Sequence, residues 1–140
     1  NTKGKVVGKG FLGQTRNGVI VQLRASGLDP GFHGIHFHDI GKCMAPDFKS
    51  AGEHFNPFQK EHGLKNPKGP HAGDLNNINA DAKGFVNTTF ITRNVTLKKD
   101  MKNSLFDENG SALVIHAKAD DQMSNPSGNS GDRILCGEIK

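Results

Sequence analysis

The chain has 140 residues, a formal net charge of +4, 18 glycines, two cysteines and neither tryptophan nor tyrosine. That length predicts one domain spanning 1–140, able to bury about two-thirds of its unfolded surface, and the glycine content favours a turn-rich β protein over a helical one. No apolar run reaches membrane-spanning length and no secretory h-region is present, while scattered lysines without basic-aromatic motifs argue against nucleic acid as a partner.

Residues 5–13 (KVVGKGFLG) and 18–28 (GVIVQLRASGL) read as strands joined by the turn Thr15-Arg16-Asn17-Gly18. In the second, Val19, Val21 and Leu23 share one face, and Gln22 and Arg24 the other. The next strand is 32–38, within GFHGIHFHDIGKC, where three histidines fall in six residues. Alternation puts His36 and His38 on one face and Phe37 on the other, so the two imidazoles can grip one metal ion. An isolated H-x-H is, however, more often a pair of ordinary surface histidines.

Between His38 and about Asp81 runs an irregular segment rich in Pro, Gly, Asn and Lys. A loop of that length is expected to be functional or tied down; a metal and a disulfide together could tie it. The segments 85–92 (FVNTTFIT), 111–119 (SALVIHAKA) and 133–139 (RILCGEI) are the remaining strands, with a second polar loop over 120–132. N-x-S/T triplets begin at Asn87, Asn94 and Asn109, and matter only in a source that glycosylates exported proteins.

The first long loop contributes His54, His62, His71 and Asp74, spaced by eight, nine and three. Pro57, Pro67 and Pro70 exclude a helix there, and neither H-E-x-x-H nor its inverse is present, which argues against a zincin-type protease. Three histidines and a carboxylate complete a closed tetrahedral zinc shell, the pattern of a structural site. His116, in apolar LVIHA, reads by itself as a satisfied core histidine. Cys43 and Cys136 lie outside any C-x-x-C; their even number fits either one disulfide in an oxidising compartment or two buried thiols.

HGIHFH, SAGEHFNP, HGLKNPKGPHAGDL, LVIHAKADD and GNSGDRILCG resemble, in order and at compatible distances, the successive signatures of copper/zinc superoxide dismutase. The resemblance covers nearly everything from residue 31. It implies an all-β, antiparallel Greek-key β-sandwich or flattened barrel. The family has eight strands and seven are expected here, because NTKGK reads as the hairpin turn that would follow a first strand. The chain starts at Asn1 rather than Met, which suggests a processed or cut form. The resemblance further implies copper bound by His36, His38, His54 and His116, and zinc by His54, His62, His71 and Asp74. His54 would bridge the ions as an imidazolate, and be released from reduced copper and reprotonated. Asp120 would join a copper histidine to a zinc histidine, Arg133 would hold the superoxide anion, and Cys43–Cys136 would be the intrasubunit disulfide.

The implied activity is dismutation of superoxide to oxygen and hydrogen peroxide, with a non-catalytic copper or zinc binder on the same fold as the alternative. Cys43 follows His38 by five residues and precedes His54 by eleven, which resembles the bacterial branch and implies an exported protein: periplasmic, cell-surface or extracellular. A membrane would be reached only through an anchor outside these residues, and the oligomeric state is not indicated. Glu53 stands where the family usually has Pro or Gly, Ala117 where Glu is common, and Asp132 where a small neutral residue is usual. None of these removes a ligand. His33 is left over and is expected to be a structural hydrogen-bonding histidine.

Overall fold

A computed structural model describes every residue, Asn1–Lys140. β1 (Gly8–Thr15) and β2 (Gly18–Ala25) form a hairpin in which Thr15 pairs with Gly18. Thr15 Oγ1 donates to Gly18 O at 2.7 Å and accepts the Asn17 N–H at 3.2 Å, fastening the two-residue loop. The other edge of β2 pairs with β6 (Val86–Thr92). The expected alternation holds: Val19, Val21 and Leu23 are buried, while Gln22 and Arg24 are exposed.

The second sheet has the order β4 (Ile35–His38), β7 (Ser111–His116), β8 (Arg133–Ile139), and a short ribbon pairs β3 (Gly31–His33) with β5 (Ile78–Ala80). All pairings are antiparallel. The partners β2/β6, β3/β5 and β4/β7 are far apart in the chain, so the strands return by long Greek-key connections rather than as a meander. Val19, Val21, Ile35, Phe37, Ile115 and Leu135 fill the space between the sheets.

The structure has eight strands where the resemblance implied seven and the sequence located six: the single strand foreseen over 32–38 breaks in two at Gly34, and β5 adds another. The Gly34 N–H donates to Lys118 O and its carbonyl accepts the His116 N–H, both at 2.8 Å. A Cβ at that crossing would lie 2.9 Å from Ser130 Cβ, so a residue without one is required. On one side of Gly34 the chain pairs with β5, which lies inside the stretch read as irregular; on the other it pairs with β7. Two strand bounds also shift: β1 runs over 8–15 rather than 5–13, and β7 stops at His116 rather than 119.

β1 and β8 are edge strands of their sheets. Between them lies an apolar groove of about 610 Å³, lined by Leu12, Leu23, Leu113, Leu135 and Ile139.

The long loop is laid along the free edge of β4. The Phe37 N–H donates to Gly73 O at 2.9 Å, and Phe37 O accepts the Phe55 N–H at 2.8 Å. Asp39 N–H to Glu53 O and Ile40 N–H to Ala51 O continue the attachment at 2.9 and 3.0 Å. Cys43 and Cys136 are disulfide-bonded, with Cα atoms 5.6 Å apart, which joins the loop to β8 across a sequence separation of 93. The chain-entropy model gives such a link about 4–5 kcal/mol of stability. Cys43→Ser/Cys136→Ser protein should therefore unfold at lower denaturant with a loss of that order. Thiol titration of the unreduced, denatured wild type should find no free thiol; two would contradict the bridge.

Candidate metal centre

Strand alternation sends Ile35 and Phe37 of β4 into the core and His36 and His38 to the opposite side, under the loops; all four are fully buried. Isolated bridges set His54 opposite His38 and Asp74 opposite His36. His116 ends β7, where the register shifts and brings it opposite Arg133. One ligand atom each from His36, His38, His54 and His116 lies within 4.8 Å of the other three.

The hydrogen bonds show which atoms face inward. His36 Nε2 donates to Asp120 Oδ2 at 2.6 Å, His38 Nδ1 to Gly52 O at 3.0 Å and His116 Nδ1 to Gly131 O at 3.1 Å. The opposite nitrogens, His36 Nδ1, His38 Nε2 and His116 Nε2, are buried with no partner. A ring that donates one N–H outward turns a bare lone pair inward. Three such orphans are costly unless a cation takes them, so the donor set fits a bound metal.

The second group is built around one oxygen. His54 Nδ1, His62 Nδ1 and His71 Nδ1 lie 3.1, 3.0 and 3.3 Å from Asp74 Oδ1, and His54 Nδ1 is 3.2 Å from His71 Nδ1. Ligands at zinc distances in a tetrahedron stand about 3.3–3.5 Å apart, so four of the six edges are nearly at metal-bound length. Asp74 Oδ2 accepts the Gly63 and His71 N–H groups, each at 2.9 Å, which leaves Oδ1 for the centre. By mutual proximity alone His36 joins His54, His62 and Asp74 in a quartet. The direct contacts of His71 Nδ1 with Asp74 Oδ1 and His54 Nδ1 favour His71 instead, since the one free nitrogen of His36 serves the first group.

His54 belongs to both groups. Its Nδ1 is in the second, its Nε2 is the atom left for the first, and its ring stacks on His36 with centroids 3.9 Å apart. With no nitrogen kept for outward donation, it is the ring able to bridge two cations. Asp120 connects the groups from outside, with Oδ2 on His36 and Oδ1 on His62 Nε2 at 2.9 Å. The Gln122 N–H at 2.7 Å holds that carboxylate, and Gly128, at φ 66°, passes so close that a Cβ would overlap it.

Burial pushes the pKa of His38 down to about 2, His36 to about 3 and His116 to about 4, and lowers His54 as well. These rings are therefore neutral, as ligands must be. His62 goes the other way: burial opposes its charge, but Asp120 and Asp74 outweigh that and push it up to about 9. Burial also opposes the charges of Asp74 and Asp120, yet hydrogen bonds from the histidines hold both well below the usual carboxylate range. A cation at the second group would replace the His62 proton.

Arg133 Nη1 donates to Phe48 O at 3.0 Å, and no carboxylate forms an ion pair with the guanidinium. Arg133 pairs with His116 across β7 and β8, beside the first group, and its charge contributes to the lowering of His38 and His116. Asp132 is exposed. His33 lies outside both groups, buried between His116 O and Asp29 O, each 2.7 Å from a ring nitrogen, as expected of a structural histidine. Sequence reasoning missed the acceptors Gly52 O, Gly131 O and Phe48 O, because a backbone carbonyl leaves no mark on residue type.

The family model described as copper/zinc superoxide dismutase (SODC) matches residues 6–139. The chain belongs to the copper/zinc superoxide dismutase family. It is 55% identical over 141 residues to "Superoxide dismutase [Cu-Zn] 1" of Aquifex aeolicus, covering 100% of this chain and 83% of the relative. It is 45% identical to the "Superoxide dismutase-like protein YojM" of Bacillus subtilis, covering 99% and 72%. Among solved structures, a double mutant of a SOD-like protein from Bacillus subtilis, with a tyrosine and a proline changed to histidine, superposes with a TM-score of 0.97 at 47% identity, covering 99% of this chain and 92% of that one. Copper and zinc are the metals of this family, and both groups suit them: imidazoles for copper, imidazoles with one carboxylate for zinc.

The shifts predict how the metal-free protein responds to acid. His36, His38, His54 and His116 have folded pKa values below the ordinary 6.5, so their contribution is complete above pH 6.5 and lost as pH falls toward their folded values. His62 has the opposite sign: its contribution is complete below 6.5 and lost as pH rises through about 9. Four rings outweigh one. Denaturant midpoints of metal-free protein should fall steadily from pH 6.5 to pH 4, and a flat or rising profile would contradict this account.

Proposed function

We propose that the protein, as one domain over residues 1–140, dismutates superoxide to oxygen and hydrogen peroxide. The observation that carries this reading is the convergence of four imidazoles beside an arginine with no carboxylate on it. His36, His38, His54 and His116 would hold copper, and His54, His62, His71 and Asp74 would hold zinc. Bound copper would supply the one-electron couple that dismutation needs, while zinc has no redox chemistry and would fix shape. Two protons are consumed for each peroxide formed, and His54 Nε2 would hold one of them only when it is free of the metal. Arg133 attracts and orients the anion, and Asp120 locks the tautomers of His36 and His62 so that both present Nδ1. The disulfide supports export to an oxidising compartment, periplasmic, cell-surface or extracellular.

A second reading, a non-catalytic metal binder, is favoured by the likeness to a protein called superoxide dismutase-like. It leaves Arg133 without a task. Activity of protein reconstituted with copper and zinc separates the two: full metal loading without dismutation would establish the binder.

His36→Ala should abolish dismutation while zinc stays largely bound. His71→Ala should lower stability and loosen the 40–81 loop, with a smaller fall in activity at neutral pH. Equal loss of zinc from both would show the division of ligands to be wrong.

Arg133→Ala should lower the superoxide rate constant by about tenfold or more, since charge and position go together. Unit charges roughly 7 Å apart in water interact by about 0.6 kcal/mol, near a threefold effect on local anion concentration. Asp132→Ser should therefore raise the rate modestly at low salt, with the gain fading as screening sets in. An unchanged low-salt rate in the serine variant removes Asp132 from the account; an unimpaired Arg133 variant undermines the dismutase reading itself.

A further inference from the structure

No strand or helix lies between Ala51 and Ile78, so the segment that carries His54, His62, His71 and Asp74 has no ladder of its own to fix them. Gln122, in the second polar loop, is buried against this segment at 6% exposure. Both ends of its amide are used: Oε1 accepts the Leu64 N–H at 3.3 Å, and Nε2 donates to Leu75 O at 3.0 Å. Leu64 lies two residues after His62, and Leu75 directly follows Asp74. The backbone adds two more bonds. Gln122 O accepts the Lys65 N–H at 3.0 Å, and the Gln122 N–H donates to Asp120 Oδ1 at 2.7 Å. Gln122 stands at φ 64°, in the left-handed region that a long side chain seldom adopts. Opposite it Gly63, at φ 116°, comes so close that a Cβ would overlap Gln122 O. A disfavoured backbone persists only where its surroundings over-determine it, and here four hydrogen bonds do so. None of the four uses a histidine nitrogen or Asp74 Oδ1, so they hold with or without an ion.

We propose that Gln122 is a positioning residue for zinc, its side-chain amide bracing the His62 turn against the Asp74 turn so that the second group keeps its binding shape before an ion enters. A braced loop loses less conformational freedom on binding, and that difference appears as affinity. The glutamine type matters because one end must donate to a carbonyl while the other accepts from an N–H, which no carboxylate or apolar side chain of that length can do. This role rests on the reading of His62, His71 and Asp74 as zinc ligands, and adds to it a residue outside the donor set.

Gln122→Met keeps the volume and the backbone bond to Asp120, and removes only the two amide bonds. Zinc affinity of copper-free protein is read by competition with a chelator. Loop order is read in metal-free protein from hydrogen exchange of the Gly63 and His71 N–H groups, both bonded to Asp74 Oδ2. Gln122→Met should weaken zinc about tenfold or more, the scale on which residues that orient metal ligands act, and should speed both exchanges. Val21→Ala is the control for stability alone: it opens a cavity at β2, in the sheet that carries no ligand. It should lower the denaturant midpoint yet leave zinc affinity within about twofold. Unchanged zinc affinity in Gln122→Met, or an equal loss in Val21→Ala, overturns the proposal. If Gln122→Met fails to fold, the metal-free wild type decides: the Gln122 side-chain amide protons should exchange slowly, and free exchange with water would refute the brace. Should His71→Ala leave zinc affinity unchanged while Gln122→Met still speeds exchange at Gly63, the assignment of the zinc ligands falls and the brace stands.

Discussion

Six imidazoles and two carboxylates share one buried cluster, and most of the architecture follows from making that burial tolerable. His36, His38, His54, His62, His71, His116, Asp74 and Asp120 are all withdrawn from solvent. Apart from His54, which faces both groups, an imidazole in such a place keeps one nitrogen satisfied by the protein and gives the other to a cation. Four outward bonds go to three acceptor groups: Asp120 for His36 and His62, Gly52 O for His38, and Gly131 O for His116. Three of those four bonds depend on the loop over 117–132, so this polar stretch is the outer wall of the metal centre rather than a surface ornament.

The supports are unequal. His36, His38 and His116 stand on β4 and β7, whose ladder and core packing hold them whether or not a metal is bound. His54, His62, His71 and Asp74 stand on a loop whose own regular structure amounts to one short turn, Lys49–Ala51. That loop takes its shape from edge bonds to Phe37, from the disulfide, and from convergence on Asp74 Oδ1. A cation there therefore does for the loop what the sheets do for the strands, because coordination that requires the folded arrangement adds to the stability of that arrangement. His54 is the member through which order in the loop reaches the strand-borne group.

Sequence periodicity made the strands legible wherever one face is buried and the other wet, as in β2, and it placed His36 and His38 on a common face. It failed at Gly34 because the break there is set by contact with Ser130 and Lys118, nearly a hundred residues away. It failed at β5 because three residues are too few to show a period. The ligand types were legible as residue types, and their partition between two ions came from the family resemblance rather than from spacing. The choice of nitrogen on each ring was not legible at all. It is fixed by backbone carbonyls and by one carboxylate, none of which the local pattern around a histidine reveals.

The charge balance gives the same architecture a direction. The two buried carboxylates are spent on histidines, and each is hydrogen-bonded so fully that little of its charge faces the mouth of the first group. Arg133 is treated in the opposite way, held by a carbonyl with no carboxylate against it. In a site of reduced dielectric, an uncompensated guanidinium attracts a small anion more strongly than one already paired, because pairing cancels the field it would project. A negative charge beside that arginine must then be placed where solvent weakens it. Asp132 meets the condition by lying exposed, with its backbone carbonyl engaged by the Ala117 N–H at 2.8 Å and its carboxylate left to water. Asp132, whose type runs against anion attraction, is thus set where solvent weakens its effect.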